Sequence, residues 1–93
     1  MLIKKRVLII DDALFMRNLI KDVLTKAGLE VCGETVNALE GVEKYKELKP
    51  DLVTLDIVMP HMEEMDGVTA IKEIISFDAE AKIVIVSALG ERK

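Results

Sequence analysis

Val7-Leu8-Ile9-Ile10-Asp11-Asp12 carries the reading of the fold. A short, wholly apolar and mostly β-branched run suits a strand covered on both faces, as strands of parallel sheets are. Two aspartates end it, Asp11 and Asp12. The period then changes. Leu14, Phe15, Met16, Leu19, Ile20, Val23, Leu24 and Ala27 recur at three- and four-residue spacing, with Arg17, Lys21, Asp22 and Lys26 mostly opposite. This pattern predicts an amphipathic helix, with Asp12 as its N-cap and Gly28 as its stop.

The same alternation continues outward from that unit. Glu30 to Gly33 reads as a second strand, and Leu39, Val42, Tyr45 and Leu48 mark a second helix that must end before Pro50. Leu52-Val53-Thr54-Leu55 is a third strand, again closing on an aspartate, Asp56. A loop follows from Ile57 to about Met65, and Val68, Ile71, Ile74 and Ile75 predict a third helix that Asp66 caps. Ile83-Val84-Ile85-Val86 is a fourth strand reaching Ser87. Strands alternating with helices of this length indicate βαβ units and a parallel sheet, hence an α/β fold; a doubly wound sheet of order 2-1-3-4 is the expected arrangement.

Composition narrows the function classes. The chain has 93 residues, 51% hydrophobic but only 3% aromatic, so its core must be aliphatic. Seventeen acids against 13 bases leave a net charge of −4, which argues against nucleic acid as a partner. No apolar run approaches the ~18 residues of a membrane span, and the run after Lys4-Lys5-Arg6 is too short for a secretory signal. Cys32, the single cysteine, can form no internal disulfide, so a reducing, cytoplasmic location is expected, with the thiol buried and inert. The five methionines form no stripe and read as gap-filling core or loop residues.

The chemistry concentrates at the strand ends. In open doubly wound sheets ligands bind beyond the carboxyl ends of the strands, where the strand order reverses. With order 2-1-3-4 the first and third strands are neighbours, ~4.8 Å apart, so Asp11, Asp12 and Asp56 would share one pocket. Either a proton or a cation must relieve such like-charge crowding. Oxygen donors without Cys or His favour Mg²⁺. Taken singly, Asp12 reads as a helix cap, Asp11 as a loop carboxylate and Ser87 as the first loop residue. Taken together with Asp56, at the ends of the first, third and fourth strands, these four residues read as a site.

Val7-Leu8-Ile9-Ile10-Asp11-Asp12-Ala13, Asp56-Ile57-Val58-Met59-Pro60 and Val86-Ser87-Ala88 resemble the receiver domains of two-component response regulators. The stretch from Asp11 to Arg17 is most similar to the CheY type, the single-domain chemotaxis regulators of flavodoxin-like fold. The resemblance implies that Asp56 accepts a phosphoryl group from a histidine kinase. It implies that Asp11, Asp12, Asp56 and the Val58 carbonyl hold Mg²⁺, and that the Ser87 hydroxyl contacts the phosphoryl oxygens. Signalling then passes by contact with a protein output partner. Such domains are phospho-acceptors more than enzymes, although they catalyse their own phosphorylation and dephosphorylation. An aspartate-nucleophile hydrolase is a weaker reading, because its Asp-x-Asp arrangement is absent from the first strand.

The chain departs from that family's pattern in several places. Receiver domains continue through a fourth helix, a fifth strand bearing a lysine, and a fifth helix, whereas here six residues follow Ser87. Residues 1–93 are therefore expected to be a C-terminally incomplete receiver domain. Lys93 is too near Ser87 to replace that lysine, and Lys4 and Lys5 lie at the opposite end of the sheet. Weakened phosphoacceptor chemistry and an absent output switch are expected. The fourth strand becomes an exposed apolar edge, so a homodimer, a domain-swapped oligomer or dependence on a complementary fragment is expected. A fragment that self-assembles and signals little is the alternative reading. His61-Met62-Glu63-Glu64-Met65 lengthens the loop before Asp66-Gly67, and Gly41 inside the second helix predicts a loose helix.

Overall fold

A computed structural model describes residues 3–57 and 65–86 of the chain. Its elements alternate as expected: β1 (Arg6–Ile10), α1 (Leu14–Lys26), β2 (Glu30–Thr35), α2 (Ala38–Leu48), β3 (Leu52–Leu55), α3 (Gly67–Phe77) and β4 (Ile83–Ile85). All strand pairs are parallel and the sheet order is β2-β1-β3-β4. Val7, Leu8, Ile9 and Ile10 have no exposed surface, as a strand covered on both faces requires.

The pleat divides the sheet's side chains between two faces. On one face Leu8, Ile10, Val53 and Leu55 form the core with Ala38, Val42 and Tyr45 of α2 and Ala70 and Ile74 of α3. On the other face α1 packs over β1 and β2, and a groove of about 390 Å³ remains beside it. Met16, Leu19, Val23, Thr54, Val84 and Val86 line that groove. No residue of α1 is buried, and Phe15 is 75% exposed.

Local signals set most element ends. Gly28, at φ 90°, follows the last turn of α1, where the Leu29 N–H donates to the Leu24 carbonyl at 2.9 Å. Lys49 takes a left-handed conformation, φ 47°, before Pro50 and ends α2. Asn37 and Asp66 cap α2 and α3, accepting from the Glu40 and Thr69 N–H groups at 2.8 and 2.7 Å.

Four expectations are corrected. Ala13 rather than Asp12 occupies the N-cap position of α1, and no side-chain hydrogen bond caps that helix. The second strand runs on past Gly33 to Thr35, because the β1 pairing, after a bulge at Val7/Leu8, continues to Ile10↔Thr35. Gly41 does not loosen α2. A Cβ there would collide with the Ile10 side chain, so the missing side chain lets helix and strand approach closely. Cys32 is half-buried rather than buried, although burial still pushes its thiol up, away from the reactive thiolate.

Candidate functional site

The register of two strands builds the site. Ile10 pairs with Leu55, and the Asp56 N–H donates to the Ile10 carbonyl at 3.0 Å, so Asp11 and Asp56 leave neighbouring strands at the same level. On the other side the Asp11 N–H donates to the Thr35 carbonyl at 3.1 Å. Asp11 thus sits at the junction of three strands. Each of Asp11, Asp12 and Asp56 offers a carboxylate oxygen within 4.8 Å of the others. Oxygens around an octahedral Mg²⁺ at ~2.1 Å lie ~3–4.2 Å apart, so a small contraction would fit this donor set to the ion.

Electrostatics separate the three acids. Asp11 is only 2% exposed. Burial pushes its carboxyl up from the ordinary range, and the charges of Asp56 and Asp12 push it the same way. The Ala13 N–H, donating to Asp11 Oδ1 at 2.9 Å, and the Arg17 guanidinium oppose that rise. Ionised Asp11 is therefore a cost to the folded chain that a bound cation would relieve.

The positions beyond these acids divide cleanly. Val58, Pro60, His61, Glu63, Glu64, Ser87 and Lys93 lie outside the described residues. Lys5 lines a recess with Asp51 and Lys82 at the opposite end of the sheet, as its place before β1 implies. Sequence reasoning missed Arg17 and Glu34. The Arg17 Nη1 donates to the Asp11 carbonyl at 2.8 Å and its Nε meets Glu34 Oε1 at 3.3 Å. Lys21 also pairs with Glu34 and, above all other contacts, holds that carboxyl below its usual range. The helical pattern groups Arg17 with the charges opposite the apolar stripe of α1; its place in the first turn, next to the acids, is the available signal.

Close packing behind the site sets the start of α3 against Ile57. A Cβ at Gly67 would lie 2.8 Å from Ile57 Cα, so α3 begins directly against the residue after Asp56.

Comparison with known proteins agrees with this geometry. A family model described as response regulator receiver domain matches residues 7–93. Chemotaxis protein CheY of Thermotoga maritima is 61% identical over 88 residues, which are 95% of this chain and 71% of that protein. CheY of Bacillus subtilis is 58% identical over 94% of this chain and 70% of its own length. A chain in the crystal structure of the CheX–CheY–BeF3–Mg²⁺ complex from Borrelia burgdorferi matches with a TM-score of 0.84 and 38% identity, over 92% of this chain and 63% of that one. The response regulator domain of T. maritima CheB matches at 0.81 and 40% identity, over 97% of this chain and 65% of that one. This chain thus spans just under two thirds of those solved chains. These likenesses in sequence and shape cover nearly the whole chain, and the chain belongs to the response regulator receiver domain family, the phosphoryl-accepting modules of two-component signalling.

Proposed function

We propose that Asp56 is the phosphoacceptor and that Asp11, Asp12 and Asp56, with the Val58 carbonyl, hold Mg²⁺. One observation carries this reading: three carboxylates from two adjacent strands converge within 4.8 Å, in a chain of this family. An Asp56 oxygen attacks the phosphorus of a histidine kinase's phosphohistidine, in line with the leaving nitrogen. A P–O bond forms as the P–N bond breaks, and the ring, protonated on its other nitrogen, takes the P–N bonding pair and leaves as neutral imidazole. Bound Mg²⁺ would supply positive charge against the phosphoryl oxygens. Asp11, buried and fixed by the Ala13 N–H, presents its carboxylate without needing to reorganise. The Ser87 hydroxyl donates to a phosphoryl oxygen, and output passes by contact with a partner protein, as a cytoplasmic signal. CheX accompanies CheY, BeF3 and Mg²⁺ in the B. burgdorferi complex, which supports a partner and an ion of these kinds here.

Incubation with acetyl phosphate tests the reading. The expected result is a mass gain of one phosphoryl group that needs Mg²⁺, decays by the domain's own phosphatase activity and disappears in Asp56→Asn. No gain, or a gain that survives Asp56→Asn, overturns it.

A second reading is a chain that self-associates and signals little. The open edge of β4 supports it, since Val84, 47% exposed, faces the apolar groove beside α1, and Ile85, on the opposite face of the same strand, is 50% exposed. Light scattering at micromolar concentration should find a dimer or larger species, whether paired along β4 or domain-swapped. A monomer removes this second reading and leaves the first intact.

A further inference from the structure

We propose that Arg17 is the positioning residue of the acidic pocket, clamping the β1–α1 turn so that Asp11 and Asp12 are held ready for a cation. The inference rests on the reading of that pocket as a cation site.

The turn has an unusual supply of restraints. Helix α1 starts without a side-chain cap, and its first turn has no acidic residue. A capping carboxylate would be the common solution, and Asp12 is next to the cap position. Asp11 takes part of that work instead, accepting the Ala13 N–H on Oδ1 at 2.9 Å. Arg17 completes it from the helix side, its Nη1 reaching back to the Asp11 carbonyl at 2.8 Å. The guanidinium is itself held, because Nε meets Glu34 Oε1 at 3.3 Å and Lys21 pairs with the other Glu34 oxygen. The Arg17 side chain is only 13% exposed. One planar cation therefore ties the end of β1, the first turn of α1 and the β2 strand into one unit. A fork of fixed donors does this better than an ammonium, which is a point charge on a flexible stem.

Charge alone predicts the opposite effect on the ion. A guanidinium beside Asp11 repels a divalent cation, so removing it should tighten binding. Positioning predicts that removing it weakens binding, as loss of the groups orienting metal ligands does. Opposite signs make the two accounts separable.

The test is Mg²⁺ titration calorimetry on the 93-residue chain, with unfolding in EDTA to confirm that each variant folds. Arg17→Met should raise the Mg²⁺ Kd about tenfold, the lower end of the ~10–100-fold typical of such partners. Arg17→Lys, which keeps the charge and loses the fork, should raise it about threefold. The Ala13 amide resonance should shift in both, as a signature of the altered turn. An unchanged or lower Kd in folded Arg17→Met overturns the proposal. If that variant does not fold, an unchanged Kd in Arg17→Lys overturns it instead. Wild-type chain that takes up no Mg²⁺ overturns the cation-site reading and this inference together, whereas wild-type binding with unaffected variants overturns this inference alone.

Discussion

On the face covered by α2 and α3, Val42, Tyr45, Ala70 and Ile74 are sealed against Leu8, Ile10, Val53 and Leu55. On the α1 face, Leu19 and Val23 are 46% and 56% exposed around a groove that Thr54, Val84 and Val86 floor. The two faces are built from the same aliphatic residue types. Their difference teaches that a helix's apolar stripe says which side is apolar and not whether anything covers it. The stripe on α1 is wider than the surface β1 and β2 offer to it.

Substitutions should separate the two faces most strongly. Ile74→Ala, in the sealed core, is expected to destabilise by about 2–5 kcal/mol, whereas Leu19→Ala at the groove should change stability by under about 0.5 kcal/mol. Urea unfolding measures both, and equal losses would break the comparison. Mg²⁺ at a hundredfold excess over its Kd should add about 2.7 kcal/mol to the wild type. The gap between Ile74→Ala and Leu19→Ala should survive that addition, since distant sites add independently. Chelation should abolish the gain.

Gly41→Ala probes how tightly the sealed face is packed. An added methyl against Ile10 should cost about 1–3 kcal/mol by overpacking. A stabilisation of ~0.5–1 kcal/mol, as expected for an unconstrained helix interior, would show that α2 is not pressed onto β1.

The smallest expected effects are in pH dependence. Asp11 has a raised folded pKa, so its contribution favours folding at acid pH and is lost as pH rises through that value. Without Mg²⁺, Asp11→Asn should therefore unfold at a higher urea concentration than wild type near neutrality, and with Mg²⁺ the order should reverse. At the edge of the sealed face the Tyr45 hydroxyl donates to Asp78 Oδ2 at 2.7 Å. Burial, then Asp78, pushes the Tyr45 hydroxyl up to about 12, so its contribution is present below about pH 10 and lost as pH climbs through 12. The same bond holds the Asp78 carboxyl below its ordinary range, so that contribution is lost on acidification. Tyr45→Phe should flatten both limbs of the stability profile, and an unaltered profile would remove the bond from the account.

The parallel sheet was legible from the apolar runs, and the meeting of Asp11 and Asp56 followed from those runs once the order 2-1-3-4 was assumed. Such runs suit a parallel sheet covered on both faces, and neighbouring parallel strands bring the two ends to one level. The Asp12 cap was misread because capping preference is local, whereas Asp11 and Arg17 fasten this turn through contacts reaching to Glu34 on β2. Gly41 was misread for a related reason: its helix propensity is a property of the chain, and its value here is the space it leaves for Ile10. Arg17 shares the charge pattern of α1 with Lys21 and Lys26, and only its place in the first turn, next to the acids, set it apart.

Periodicity, chain-stopping residues and acids at strand ends determined by themselves the sequence of elements, the parallel α/β class and the acidic character of the strand ends, because each depends on neighbours along the chain. Which face of the sheet is sealed, which residue fastens the acidic turn and how closely α2 meets β1 were decided only by tertiary structure. Those outcomes depend on volumes and donors brought together from distant segments, and no local preference encodes them.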